Sequence, residues 1–376
     1  MSAPDSTPRF IQREVVLLAI LALVASVAFI LTREVAQRQQ ATNLSDAAAW
    51  YAIGEAALDA GQAERAVASL RQATSRNRDD RRYTLTLARA LAANGQSDEA
   101  RAVLLGLREG GPDDPDVNIE LARLAVRRQD VNEALRFYQS ALYGIWPPGR
   151  EGERSRLRVE LIRMLLQREE RERALSEVVA LSTNLPDDAP SRIEAGRLFL
   201  AAGDPERALD QFGRALQLTP GDGDALAGAG EAAFARADYA AARRYLSQAP
   251  ELPERLQDLR AVARLVLEQD PLEPRLPLAT RRARLVAAVE RASARLEQCA
   301  ASRPAASASL EALQAELTAL APTLELRALR DQPEQIDHGL DVVYRVERAA
   351  ADSCGAPTAP EDRALLRIGE RHRGAS

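Results

Sequence analysis

At 376 residues the chain is long enough for two or three domains with an ample core, and its balance of 46% apolar, 4% aromatic and 28% charged residues is that of stacked helices with no sheet. The formal charge of −5 is close to neutral and carries no nucleic-acid footprint. All 50 basic residues are arginine, which excludes a phosphate loop ending in Gly-Lys-Ser/Thr, and the two cysteines and two histidines (Cys299, Cys354, His338, His372) stand in no metal-ligand or catalytic spacing. We therefore expect no catalytic residue, no metal, no cofactor and no small-molecule substrate.

The predicted elements begin with a short polar tail at 1–14, bearing Arg9 and Arg13. Residues 15–31 then run VVLLAILALVASVAFIL, with Ser26 the one polar side chain. At about 1.5 Å per residue that stretch spans roughly 26 Å, and flanking arginines can snorkel over the shortfall against a core of about 30 Å. Ser26-Val27-Ala28 would pass as a signal-peptide cleavage site, but Phe29-Ile30-Leu31 continue the apolar run beyond it. The expectation is an uncleaved transmembrane anchor over 15–32, followed by a polar stalk over 33–46. Arg-bearing short tails usually stay cytoplasmic. That predicts a single pass through the inner (plasma) membrane, with the bulk of the chain extracytoplasmic, in a periplasm.

Beyond the stalk the chain repeats itself. Alanine recurs at Ala66, Ala100, Ala134, Ala174, Ala208 and Ala242, at intervals of 34 residues with one of 40. Four residues after each alanine comes Leu70, Leu104, Tyr138, Val178, Phe212 or Leu246, and three further on comes a third apolar position, so one helix carries an i, i+4, i+7 stripe. Five residues before the alanine stands Gly61, Gly95 or Gly203, where a turn between two helices is predicted; Gln129 and Glu169 replace glycine in the third and fourth units. Twelve residues before it stand Gly54, Ala88, Ala122, Gly196 and Gly230, small enough for two helices to meet closely, with Ile162 the exception. The additional six residues fall at Gly144-Ile145-Trp146-Pro147-Pro148-Gly149, predicted to bulge from the stack, with Trp146 either covering helix edges or anchoring a partner.

These columns resemble the tetratricopeptide-repeat family over residues 47–254. The resemblance implies a right-handed α-solenoid of about six helix pairs, whose first helices line a concave groove that holds a protein or peptide partner. Eleven residues before each alanine stand Glu55, Arg89, Arg123, Arg163, Arg197 and Glu231, and four earlier Tyr51, Leu85, Ile119, Val159, Ile193 and Ala227. In this family such columns tend to face the groove, which makes Tyr51, Leu85, Arg89, Ile119, Arg123, Val159, Arg163, Ile193 and Arg197 the candidate partner-binding residues. An arginine ladder beside an apolar strip suits an acidic or C-terminal segment. The alternative is that Glu120, Glu160 and Glu194, each three residues before an arginine, pair with it along the same helix.

The register fades after 254. Helical patterning continues over Glu254–Gln269, 279–299, 310–320 and 333–352, with a short last helix after Pro357, and 255–376 reads as a separate C-terminal helical module that either caps the last repeat or docks elsewhere. Cys299 and Cys354 either form a disulfide, closing about 55 residues for roughly 4 kcal/mol in the chain-entropy model, or remain two thiols. The functional expectation is a membrane-anchored scaffold or adaptor, not an enzyme, in a bacterial-type envelope complex; the alternative is a chaperone-like holdase at a membrane translocation or assembly site.

Overall fold

A computed structural model of the chain describes residues 9–302 and 307–373. The first part of the polar tail, and the break around Pro304, lie outside the described residues. Among those described every regular element is a helix, and the chain falls into two compact units, Met1–Leu157 and Arg158–Ser376.

The first unit holds α1 (Arg9–Asp59), α2 (Ala63–Arg76), α3 (Arg81–Ala93), α4 (Ser97–Glu109), α5 (Pro115–Arg127) and α6 (Val131–Leu142), and the division falls within α7 (Glu151–Gln167). Helix α1 is one unbroken run of 51 residues that includes the apolar segment, the polar stalk and the first helix of the first repeat. It is the one described helix long and apolar enough to cross a membrane, with a mean hydropathy of 3.0 in its most apolar window and every side chain from 15 to 31 exposed. Its polar side chains bond back to their own helix, Ser26 Oγ to the Ala22 carbonyl at 2.8 Å and Thr32 Oγ1 to that of Ala28 at 2.9 Å.

The repeat columns become packing in both units. All six column alanines are fully buried, and so are Leu70, Leu104, Tyr138, Val178, Phe212 and Leu246 four residues on. The small residues twelve positions upstream receive those side chains: a Cβ added at Gly54 would lie 2.5 Å from Leu70 Cγ, and one at Gly230 would lie 2.4 Å from Leu246 Cγ. Ile162 is buried at the same column in the fourth repeat, opposite the smaller Val178. Four of the first helices start at aspartate caps: Asp80 accepts from Arg82 N, Asp114 from Asp116 N and Val117 N, Asp188 from Ser191 N, and Asp222 from Ala225 N. The turn column takes the left-handed conformation throughout, at Gly61, Gly95 and Gly203 and also at Gln129 (φ 62°), Glu169 (φ 60°) and Ala237 (φ 58°).

The second unit continues with α8 (Arg171–Ser182), α9 (Ala189–Ala202), α10 (Pro205–Leu218), α11 (Gly223–Ala235), α12 (Tyr239–Gln248) and α13 (Glu254–Gln269), then α14 (Leu278–Ser302), α15 (Ser307–Ala319), α16 (Leu326–Asp331), α17 (Gln335–Cys354) and α18 (Pro360–Arg373). The short α16, introduced by a 3₁₀ turn over Ala321–Leu324, has no counterpart in the sequence reading. The C-terminal helices share one core with the sixth repeat: Phe234, Tyr239 and Ala242 lie in the same buried cluster as Val262, Leu285, Leu340 and Leu365. The apolar end of the last repeat is covered by this module. Within it Cys299 and Cys354 are joined, Cα to Cα 5.8 Å. Arg295, one turn before Cys299, donates to buried Glu347 at 2.6 Å.

Candidate functional site

The first helices of the repeats carry the candidate columns, and each unit shows how its share is arranged. In the first unit Tyr51 stacks on Tyr83, ring centroids 4.5 Å apart, and donates its hydroxyl to Glu55 at 2.6 Å. Burial, helped by the neighbouring Glu55 carboxylate, raises the phenol above its usual range. Leu85 is half-buried and Ile119 buried, so the apolar strip offers edges more than whole side chains. Arg89 Nε and Arg123 Nη1 both reach the same oxygen of Glu120, at 2.9 and 3.2 Å.

In the second unit Arg163 pairs with Glu194 at 2.7 Å and Arg197 with Asp224 at 2.9 Å, while Glu231 pairs with Arg255 at 2.8 Å. Val159 is half-buried and Ile193 buried. The ladder is thus tied mainly from one repeat to the next. Glu120–Arg123 is the same-helix pair that the spacing predicts, but Glu194 serves Arg163 of the preceding repeat, and Arg197 turns to Asp224 of the following one. The physical reason is the repeat itself. An acid three residues ahead of one rung stands 31 residues after the previous rung, as in Arg89–Glu120 and Arg163–Glu194, and stacked first helices bring those two within reach of each other. This 31-residue recurrence is a signal that the sequence contains and that a same-helix reading passes over.

All four guanidinium groups are paired yet keep between 41% and 63% of their side-chain surface in solvent. Arg163–Glu194 and Arg197–Asp224 are exposed on both sides and contribute about 0–1 kcal/mol each, whereas Arg89 and Arg123 share the buried Glu120 carboxylate, which would be left without its partners if they were displaced. In the second unit the columns open onto a cleft. Its volume is about 810 Å³, and Arg197, Ala227 and Glu231 line it together with Leu200, Phe212 and Asp224. The far wall is Pro250, Leu252, Pro253 and Leu256, from the connection into α13. Sequence reasoning named Arg197 as a binding residue and missed that wall, because residues 249–256 stand where the 34-residue register fades. Among the described residues no group of three or more His, Cys, Asp or Glu side chains is placed to hold a metal ion.

The tetratricopeptide-repeat family model matches residues 57–124 and 199–275, one stretch in each unit. Similar solved structures include YrrB, a tetratricopeptide-repeat protein with an unusual peptide-binding site, at 20% identity over 48% of this chain and 90% of that one, TM-score 0.38. Another is PilW, a widely conserved type IV pilus biogenesis factor, at 17% identity over 56% and 96%, TM-score 0.40. A third is pilF of Pseudomonas aeruginosa, at 19% identity over 50% and 84%, TM-score 0.34. No curated protein matches the chain.

Proposed function

Starting from a chain that carries tetratricopeptide repeats, we propose that the protein is a membrane-anchored scaffold that holds a segment of another protein and catalyses no reaction. The carrying observation is the cleft in the second unit, which apolar Leu200, Ala227, Leu252 and Leu256 line together with Arg197 and Glu231. Such a lining with a few fixed charges suits an extended peptide, which gains contact area from the apolar side chains and direction from the charges. Arg89 and Arg123, with Tyr51, Leu85 and Ile119, are the candidate recognition residues of the first unit, and Val159, Arg163 and Ile193 are further ones in the second.

The membrane part of the reading rests on the exposed apolar stretch of α1, whose polar side chains are already satisfied within the helix. A bilayer would cover that surface. The bond between Cys299 and Cys354 supports an oxidising compartment for the second unit, and with it an envelope-facing scaffold. Domain limits follow from the same reading: tail 1–14, anchor 15–32, stalk 33–46, solenoid 47–254 and capping module 255–376.

The test is copurification of the full chain with and without the quadruple change of Arg89, Arg123, Arg163 and Arg197 to Ala. A scaffold retains one stoichiometric partner through high salt, and the quadruple variant loses it with an unchanged circular dichroism spectrum. Unchanged capture by the variant would remove the arginine columns from the site. Weak, salt-sensitive capture of many unfolded chains would favour a holdase instead.

A further inference from the structure

The six-residue insertion after the third repeat is no slack bulge. A Cβ at Gly144 would lie 2.6 Å from the Asp113 carbonyl oxygen, and Ile145 N donates to that same oxygen at 3.1 Å. Trp146 donates its Nε1–H to the Ala141 carbonyl at 2.8 Å and carries the Arg150 guanidinium 5.2 Å over its ring. Arg150 in turn forks Asp116 at 3.0 and 2.7 Å, holding that carboxyl below the usual range, and also binds Glu153. Trp146 is therefore a strut of the loop, half-buried and spoken for. What the pinned loop offers to solvent is Tyr143, 70% exposed, and Ile145, 77% exposed.

Ile145 and Pro147 of the loop line a concavity of about 460 Å³ together with Pro112, Pro115, three aspartates and Arg150. Asp114 is matched by Arg81 and Asp116 by Arg150. Asp113 is left over, exposed, its carboxylate without an ion pair among the described residues.

We propose that this loop is a second docking surface, for an extended segment of another protein in which a basic side chain stands beside proline or an aliphatic residue. A loop fixed at four points loses little freedom on binding, so its exposed apolar side chains are ready contact area. The unmatched Asp113 carboxylate attracts a cation at the edge of that apolar hollow and repels an anion. The preference is opposite in sign to that of the arginine columns, and it does not depend on what those columns bind.

The experiment is fluorescence anisotropy on the full chain in nanodiscs, with two labelled twelve-residue probes: a Pro-Leu-Arg repeat and its Pro-Leu-Glu counterpart. The expected result is saturable binding of the arginine probe alone, weakened at least tenfold by Ile145→Ser and by Asp113→Asn and unchanged by Arg197→Ala. Both substitutions alter exposed side chains and leave the Ile145 N–H bond in place, and circular dichroism reports that the fold is retained. Equal binding of the two probes, absence of saturable binding, or indifference to Ile145→Ser would each overturn the proposal. If sedimentation shows the wild-type chain self-associating and Ile145→Ser abolishing it, the occupant is a second copy and the stated partner is wrong.

Discussion

At the turn of every repeat one residue stands with φ between 58° and 88°, and the six residues there are Gly61, Gly95, Gln129, Glu169, Gly203 and Ala237. A side chain in that region crowds its own backbone, at a cost of roughly 1–2 kcal/mol, part of which glycine gives back through its freer unfolded chain. Gln129→Gly and Glu169→Gly should therefore each stabilise the protein, by about 0.5–1 kcal/mol, read as a higher urea midpoint at unchanged slope. A lower midpoint would mean that those side chains hold something the turn geometry does not reveal. The opposite sign is expected at Gly196, where an added Cβ would sit 2.8 Å from the Phe212 ring. Gly196→Val should cost about 1–3 kcal/mol by overpacking. In the sequence Gln129 and Glu169 look like decay of the repeat. The backbone says otherwise, because the flanking helices fix the turn whichever residue occupies it.

Among the elements, the joint between α14 and α17 is the most chemically loaded. Glu347 is fully buried against Arg295, and burial, the dominant influence, pushes its carboxyl up to about 7 in spite of that arginine. A carboxyl whose folded value lies above its unfolded value near 4.5 favours the fold most below 4.5, and that contribution is lost as pH rises through about 7. Stability measured from pH 5 to pH 8 should fall more steeply for the wild type than for Glu347→Gln, which keeps an acceptor for Arg295 and does not titrate. Parallel profiles would show that the pair stays charged throughout. The Cys299–Cys354 bond ties the same two helices, and reducing it should lower the thermal midpoint of the second unit, by up to roughly 4 kcal/mol of stability in the chain-entropy model. Helix positions here were legible from the helical patterning over 279–299 and 333–352. The buried Arg295–Glu347 pair was not, since nothing in a linear stripe distinguishes an acid facing water from one facing a neighbouring helix.

For the whole molecule, the repeat register made most of the architecture readable, because a 34-residue period states which small residue meets which large one in each helix pair. Gly54 against Leu70 and Gly230 against Leu246 are that statement in atoms. Contacts outside the register escaped it: the cleft wall over 249–256 and the pinned loop around Trp146 both depend on chain geometry between repeats. The same logic bears on the C-terminal module. A chain ending after α12 leaves Phe234 and Tyr239 without their cover from α13 and α18, so it should be recovered as aggregate where the full chain is dispersed. The central claim is that the second unit's cleft holds a protein partner, and site-specific photo-crosslinking from position 227 in intact cells tests it most directly. The account predicts one discrete crosslinked species, lost when Arg197 is changed to Glu and absent when the crosslinker stands at exposed Arg243 on α12. Absence of any product from position 227, or the same products from both positions, would contradict it.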